Sequence, residues 1–119
     1  VDCRPRANAM ANMAKGGGTE STKNYRDTEL IYLKIDNIHG VRKAYKNMRN
    51  LLNSKQGFSG HWLRRVDDAD WLTMCRRIIK GAGRVTHAMV RNKQSVVCHC
   101  SDGWDRTAQV CALAQVLAD

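Results

Sequence analysis

A β-branched run, Ser95-Val96-Val97, leads into the polar stretch Cys98-His99-Cys100-Ser101-Asp102-Gly103-Trp104-Asp105-Arg106-Thr107, and residues 108–118 follow as an apolar-rich segment of good helix formers. Strand, tight loop, helix is how a chain builds an anion site. Backbone N–H groups at a helix start converge on one point, and the helix dipole adds partial positive charge there. Cys100 enters the loop and Arg106 leaves it, with five residues between them. An anion held by the loop amides and a guanidinium fork would sit over the sulfur, and the same field would lower the thiol pKa toward thiolate. A thiolate beneath a bound phosphate implies in-line attack and a cysteinyl-phosphate intermediate.

The other loop residues take roles from the same picture. Gly103 provides the φ freedom that turns the amides inward. Arg106 stands at a helix start, a poor place for a cation unless an anion lies between it and the helix. Thr107 either hydrogen-bonds the sulfur or caps the helix. Asp102 and Asp105 would repel an anion, so a reason is needed for them: a leaving alkoxide needs a proton, which a carboxyl can supply as general acid. Thiolate and phosphate nearby would raise the pKa of such an acid. The competing reading for both is loop hydrogen bonding. Trp104 is either a lid or an anchor to the core. Cys98 and His99 alternate on a strand and face opposite sides, His99 orienting the loop, while Cys111 belongs to the core.

A chain of 119 residues suits one small domain, short for a stand-alone enzyme, and 43% hydrophobic residues is ordinary for a globular chain. No run approaches a membrane span, and Val1-Asp2-Cys3-Arg4 is no signal peptide. Five Cys in no regular framework argue for a reducing compartment rather than a disulfide scaffold. Cys98-x-Cys100 beside His99 is spaced too tightly for zinc, with no second pair to match, so no metal and no cofactor is expected. The net charge of +9 fits nucleic acid, anionic lipid or phosphorylated substrates, or simply a solvated basic surface. With 6% aromatic residues and no aromatic–basic alternation, nucleic acid is disfavoured.

Upstream, Pro5 favours an extended start, and residues 7–14 fit strand or helix equally. Gly16-Gly17-Gly18 reads as a loop or close packing, not a nucleotide-binding loop, because no Lys-Ser/Thr follows it. Leu30-Ile31-Tyr32-Leu33-Lys34-Ile35 reads as a strand buried on both faces. Asn37 could cap an amphipathic helix on which Val41, Ala44, Tyr45, Met48, Leu51 and Leu52 recur at helical spacing. Residues 53–60 read as a loop. Asp67-Asp68-Ala69-Asp70 offers caps for a second helix, whose apolar line runs from Trp71 to Met89 and in which Gly81 and Gly83 mark close packing or a kink; Arg91-Asn92-Lys93 ends it. Together these elements predict an α/β fold: a mostly parallel sheet flanked by helices, with the Cys100 loop at the carboxyl end of its strand.

The string from His99 to Gln109 resembles the signature of the myotubularin family, phosphoinositide 3-phosphatases among the cysteine-dependent phosphatases. Looser matches recur at Arg4-Pro5, Asn8-Ala9-Met10-Ala11-Asn12, Gly16-Gly17-Gly18, Asn37-Ile38-His39 and His61-Trp62-Leu63. The resemblance implies the same cysteine-phosphatase fold, present as a partial phosphatase domain over residues 1–119 with its active-site loop at 99–107. It implies Cys100 as nucleophile, Asp105 as acid, and Arg106 on the phosphate. It adds Asn12, Asn37, Ile38, Ser101, Asp102, Gly103 and Trp104 as substrate-binding positions, with the grip on a second phosphate lying beyond Asp119. The substrates implied are phosphatidylinositol 3-phosphate and the 3,5-bisphosphate on endosomal or similar membranes, reached from the cytoplasm, with oligomerisation through other regions. The rivals are a protein-tyrosine or dual-specificity phosphatase, which two Asp within the loop disfavour, and a catalytically silent phosphoinositide-binding scaffold.

Overall fold

The computed structural model describes residues 1–54 and 60–119; most of the expected loop at 53–60 lies outside them. Five α-helices order the described chain: α1 (Arg6–Met13), α2 (Ile38–Leu52), α3 (Trp62–Asp68), α4 (Trp71–Thr86) and α5 (Arg106–Ala118). A short 3-10 turn, Thr22–Asn24, precedes α2, and α4 runs on into a π-helical turn, His87–Arg91.

The mostly parallel sheet expected from the sequence is not there. Among the described residues there is no strand, and pairing is limited to two isolated parallel bridges, Asp2 to Tyr32 and Asp2 to His99. Three extended segments do meet at residues 1–4, and the reason they go no further is local. Asp2 N–H donates to Ile31 O and Leu33 N–H to Asp2 O, but the next rung is lost because Arg4 N–H turns to its neighbour's side chain, Asp2 Oδ1, at 2.9 Å. Lys34, in the left-handed region at φ 58°, shifts Ile35 N–H onto Cys3 O instead. The segment 31–35 is therefore a kinked extended piece: Leu33 and Ile35 are buried and Lys34 is exposed. The run Ser95-Val96-Val97 is likewise extended without being a strand, and Val97 is exposed.

The helices follow from their sequences more directly. Asn37 caps α2 as expected, its Oδ1 accepting from His39 and Gly40 N–H at 3.2 Å each. The ambiguous stretch at 7–14 is helical, with Ala9 facing inward. Asp67 and Asp68 end the separate short helix α3 rather than capping the next one, which the pattern had not revealed; Asp70 sits before α4 at φ 62° without a side-chain capping bond. Tyr45 of α2 meets Trp71 of α4 edge to face at 5.6 Å. Gly81 is buried where α4 crosses the extended segment, and a Cβ there would lie 2.7 Å from Leu33 Cδ1. Close packing, not a kink, accounts for that glycine.

The core forms between the extended segments and helices α4 and α5. Cys3, Leu33 and Ile35 from the former pack with Ala82 and Val85 of α4 and Val110 and Ala114 of α5. Thr86 Oγ1 donates to Ala114 O at 3.0 Å and joins the two helices. This layer holds the end of residues 97–100 against the start of α5, which is where the loop of interest is strung.

Below the loop sits a buried ion pair that sequence reasoning did not single out. Arg4 Nη2 lies 2.8 Å from Asp2 Oδ2, and both side chains are essentially fully buried. The same Nη2 donates to Gly18 O at 2.8 Å. Gly18, at φ 125°, could not carry a side chain, because a Cβ would run into Met13. The glycine run thus closes the C-terminal end of α1 and is fastened to the core by Arg4. A helix C-terminus offers carbonyls, not amides, so this turn is no phosphate cradle.

Candidate active site

Cys100 ends the extended segment 97–100 and is 5% exposed, its sulfur facing the start of α5. Gly103, at φ 83°, turns the loop back so that its own N–H donates to the Cys100 sulfur at 3.2 Å. Burial of Cys100 pushes its thiol pKa up. The Thr107 hydroxyl and the backbone N–H groups of Thr107, Gly103 and Asp102 outweigh that, and the pKa lies below its ordinary value. The Thr107 hydroxyl is buried and, among the described residues, has no hydrogen-bond partner of ordinary geometry; its effect on Cys100 is to favour the thiolate. Asp105, not Thr107, stands at the cap position of α5.

Arg106 opens α5 and is almost fully buried. Its Nε lies 3.3 Å from Asp105 Oδ1 and its Nη2 donates to Ser101 Oγ at 3.3 Å, so the guanidinium spans the loop from exit to entry. Asp105 Oδ1 accepts from Arg106 N–H at 2.6 Å and lies 3.4 Å from the Cys100 sulfur, whose thiol donates to it. Burial pushes the Asp105 carboxyl up, but the Arg106 N–H, the Cys100 thiol and the Arg106 charge together hold it below the usual range. The sequence had suggested a raised value. The difference arises because Asp105 caps α5: its carboxylate takes the Arg106 N–H first of all, and the Cys100 thiol and the Arg106 charge add to that.

Of the remaining expected positions, Asn12 on α1 reaches the loop, with Nδ2 3.5 Å from Ser101 Oγ. Asp102 and Trp104 are exposed at the rim, and Trp104, at 59%, is no core anchor. Asn37 and Ile38 open α2; the hydrogen bonds of the Asn37 side chain are its two capping bonds, and Ile38 is exposed. Neither is brought to the loop by a contact within the described residues. His99 Nε2 lies 4.0 Å from Asp2 Oδ2 and its Nδ1 3.3 Å from Cys100 O, a placement that orients the backbone entering the loop. Asp2 and Arg4, under His99, are the supporting residues that pattern reading missed; two opposite charges two residues apart in a short segment give no periodic signal of burial.

A thiol with converging amides, a buried guanidinium at its side and a carboxyl within reach is equipped to hold a tetrahedral oxyanion over sulfur. The family model for the myotubularin-like phosphatase domain matches residues 1–119. The chain belongs to that family. It is 42% identical over 118 residues to the myotubularins of Xenopus tropicalis and Xenopus laevis, covering 99% of this chain and 19% of each relative. To phosphatidylinositol-3-phosphatase myotubularin-2 of Arabidopsis thaliana it is 38% identical, covering all of this chain and 17% of that protein. The chain thus spans about a fifth of the length of these curated relatives.

The sulfur environment of this myotubularin-family loop gives a direct expectation. Thr107→Val keeps the side-chain shape and removes a buried hydroxyl that lacks an ordinary hydrogen bond. Thermal stability should be unchanged or slightly higher. The thiol pKa should rise, so iodoacetamide alkylation of Cys100 at neutral pH should slow by up to about tenfold, and its pH profile should move to higher pH. Unchanged alkylation would mean that the backbone amides alone set the thiolate.

Proposed function

We propose that the protein carrying this chain removes the 3-phosphate from phosphatidylinositol 3-phosphate and phosphatidylinositol 3,5-bisphosphate through a phosphoenzyme on Cys100. The observation that carries this reading is the Cys100 sulfur held at the start of α5 by the Gly103 N–H, with the Asp105 carboxyl 3.4 Å away and the Arg106 guanidinium spanning the same loop. The Arabidopsis relative, a phosphatidylinositol-3-phosphatase by name, supports the substrate class.

In this reading the phosphoryl group enters over the sulfur, and its equatorial oxygens take the loop amides and the Arg106 fork. As the guanidinium turns from Asp105 to the phosphate, that carboxylate loses one of the partners that hold its pKa down, and the incoming phosphate charge raises it. The thiol proton crosses the 3.4 Å contact from Cys100 to Asp105. The thiolate then attacks phosphorus in line, the P–O bond to the inositol carbon's oxygen breaks, and Asp105 returns the proton to the leaving alkoxide. Water afterwards cleaves the S–P bond, with Asp105 as base. Ser101, Asp102, Trp104 and Asn12 line the headgroup side, and Asn37 and Ile38 join them only if the substrate reaches the start of α2. No step requires a metal or cofactor. The excess of basic residues suits work on an anionic membrane reached from the cytoplasm, endosomal membranes included, and association with other myotubularins falls to regions outside this chain.

Phosphate release from short-chain phosphatidylinositol 3-phosphate, measured beside a phosphotyrosine peptide at equal concentration, tests the substrate class. The lipid should be turned over by at least about a hundredfold in kcat/KM, since a site that holds substrate hydroxyls rejects analogues lacking them by that much or more. Preference for the peptide would favour the tyrosine-phosphatase alternative.

A further inference from the structure

A second pair of sulfurs lies behind the loop and has no part in the chemistry above. Cys3 Sγ and Cys98 Sγ are 3.5 Å apart, and both are free thiols. Their backbones are pinned side by side: His99 N–H donates to Val1 O at 3.0 Å and Cys3 N–H to His99 O at 2.8 Å. The bridge pairs Asp2 with His99, so Cys3 and Cys98 fall together on the other face, Cys98 one step before His99 and Cys3 one step after Asp2, and their sulfurs meet on the diagonal. Cys3 is fully buried in the core and Cys98 is half-buried, which leaves the pair one side from which a small reagent can approach. The sulfurs need about 1.5 Å of closure to reach bonding distance, with the two segments adjusting to bring the diagonal pair into disulfide geometry.

We infer that Cys3 and Cys98 are a redox modification site, a dithiol that a peroxide converts reversibly to a disulfide directly beneath the active-site loop. In the first step one sulfur attacks peroxide: an S–O bond forms, the O–O bond breaks, and the thiol proton leaves with the second oxygen as water. In the second, the other sulfur attacks the sulfenic acid, the S–S bond forms, and the displaced hydroxyl leaves as water with the remaining thiol proton. Two thiols and one peroxide give one disulfide and two waters, and a dithiol reductant reverses it. The shared proton of the pair helps: the hydrogen bond from Cys98 lowers the Cys3 thiol pKa against the opposing effects of burial and of neighbouring charge, while that of Cys98 is raised. One partner is thereby predisposed to ionise.

The test uses the full protein carrying Cys100→Ser, because Cys98 and Cys100 fall on one tryptic peptide, 94–106. It is treated with near-stoichiometric hydrogen peroxide, blocked with N-ethylmaleimide, digested without reductant and mapped by mass. The expected product is the tryptic peptide that carries Cys3 and ends at Arg6 joined to peptide 94–106, lost on dithiothreitol treatment and absent when Cys98→Ser or Cys3→Ser is added. Protein with the native Cys100 should give the same link when its fragments are sequenced. Dominant linkage of Cys98 to Cys111 on α5, linkage through Cys100, or sulfinic acid at Cys98 with no link would each overturn the inference. None of these outcomes depends on whether the protein dephosphorylates a lipid.

Discussion

Arg106→Lys should lower kcat/KM for phosphate release by about a thousandfold in a protein that still folds. Lysine keeps the positive charge but not the planar fork, and Arg106 uses that fork to span from Asp105 Oδ1 to Ser101 Oγ across the loop. A point charge on a flexible stem can reach one of these positions, not both. Removing a single preorganised donor from an oxyanion site costs about a hundred- to thousandfold in rate, and an arginine on a transferring phosphoryl group about a thousandfold or more. The loss should appear in kcat as well as in KM, because the fork tightens on the equatorial oxygens as charge spreads over them. A loss confined to KM would assign Arg106 to ground-state binding alone.

The second large effect lies beneath the site and is one of stability. Arg4→Met leaves the Asp2 carboxylate in a fully buried position without its guanidinium and strips Gly18 O of its donor. Truncating one member of a buried pair costs about 3–5 kcal/mol, which is a large share of the roughly 5–15 kcal/mol available to a domain. The urea midpoint should fall accordingly, and limited proteolysis should open first at residues 14–18, which Arg4 fastens. Replacing both partners, Asp2→Leu with Arg4→Met, should recover much of the loss, since no unpaired charge is then left in the interior. A single variant as stable as the parent would mean that water reaches the pair.

These two residues show what a sequence can and cannot reveal. The turn around Cys100, Gly103 and Arg106 was legible because it lies in one short stretch: loop geometry is local, and a positive-φ glycine and a helix start can be read off neighbouring residues, whereas the cap fell to Asp105 rather than Thr107. The helices α2 and α4 were legible by periodicity, α5 by its run of good helix formers after the loop, and the Asn37 cap by residue type. The sheet was misread. Apolar, β-branched runs at 30–35 and 95–97 carry the same signal whether or not a ladder forms, and here the ladder is broken by Arg4 N–H bonding Asp2 and by Lys34 at positive φ. Nothing in composition announces either event. The pKa of Asp105 differs from expectation for a related reason, since the sequence shows which charges are near but not that the carboxylate caps α5 on the Arg106 N–H. The Asp2–Arg4 pair and the Cys3–Cys98 contact depend on residues about a hundred positions apart or on burial, and only the folded chain displays them.

The central claim is that Cys100 carries the phosphoryl group, and the most direct measurement is to catch it there. Phosphatidylinositol 3-phosphate labelled in the 3-phosphate is mixed with the full protein, quenched within the first turnovers, digested and mapped by mass. The account predicts phosphate bound as a thioester-like S–P adduct on the peptide 94–106 at Cys100, and neither adduct nor phosphate release with Cys100→Ser. Release of phosphate with no adduct on that sulfur, or turnover that survives Cys100→Ser, would contradict it.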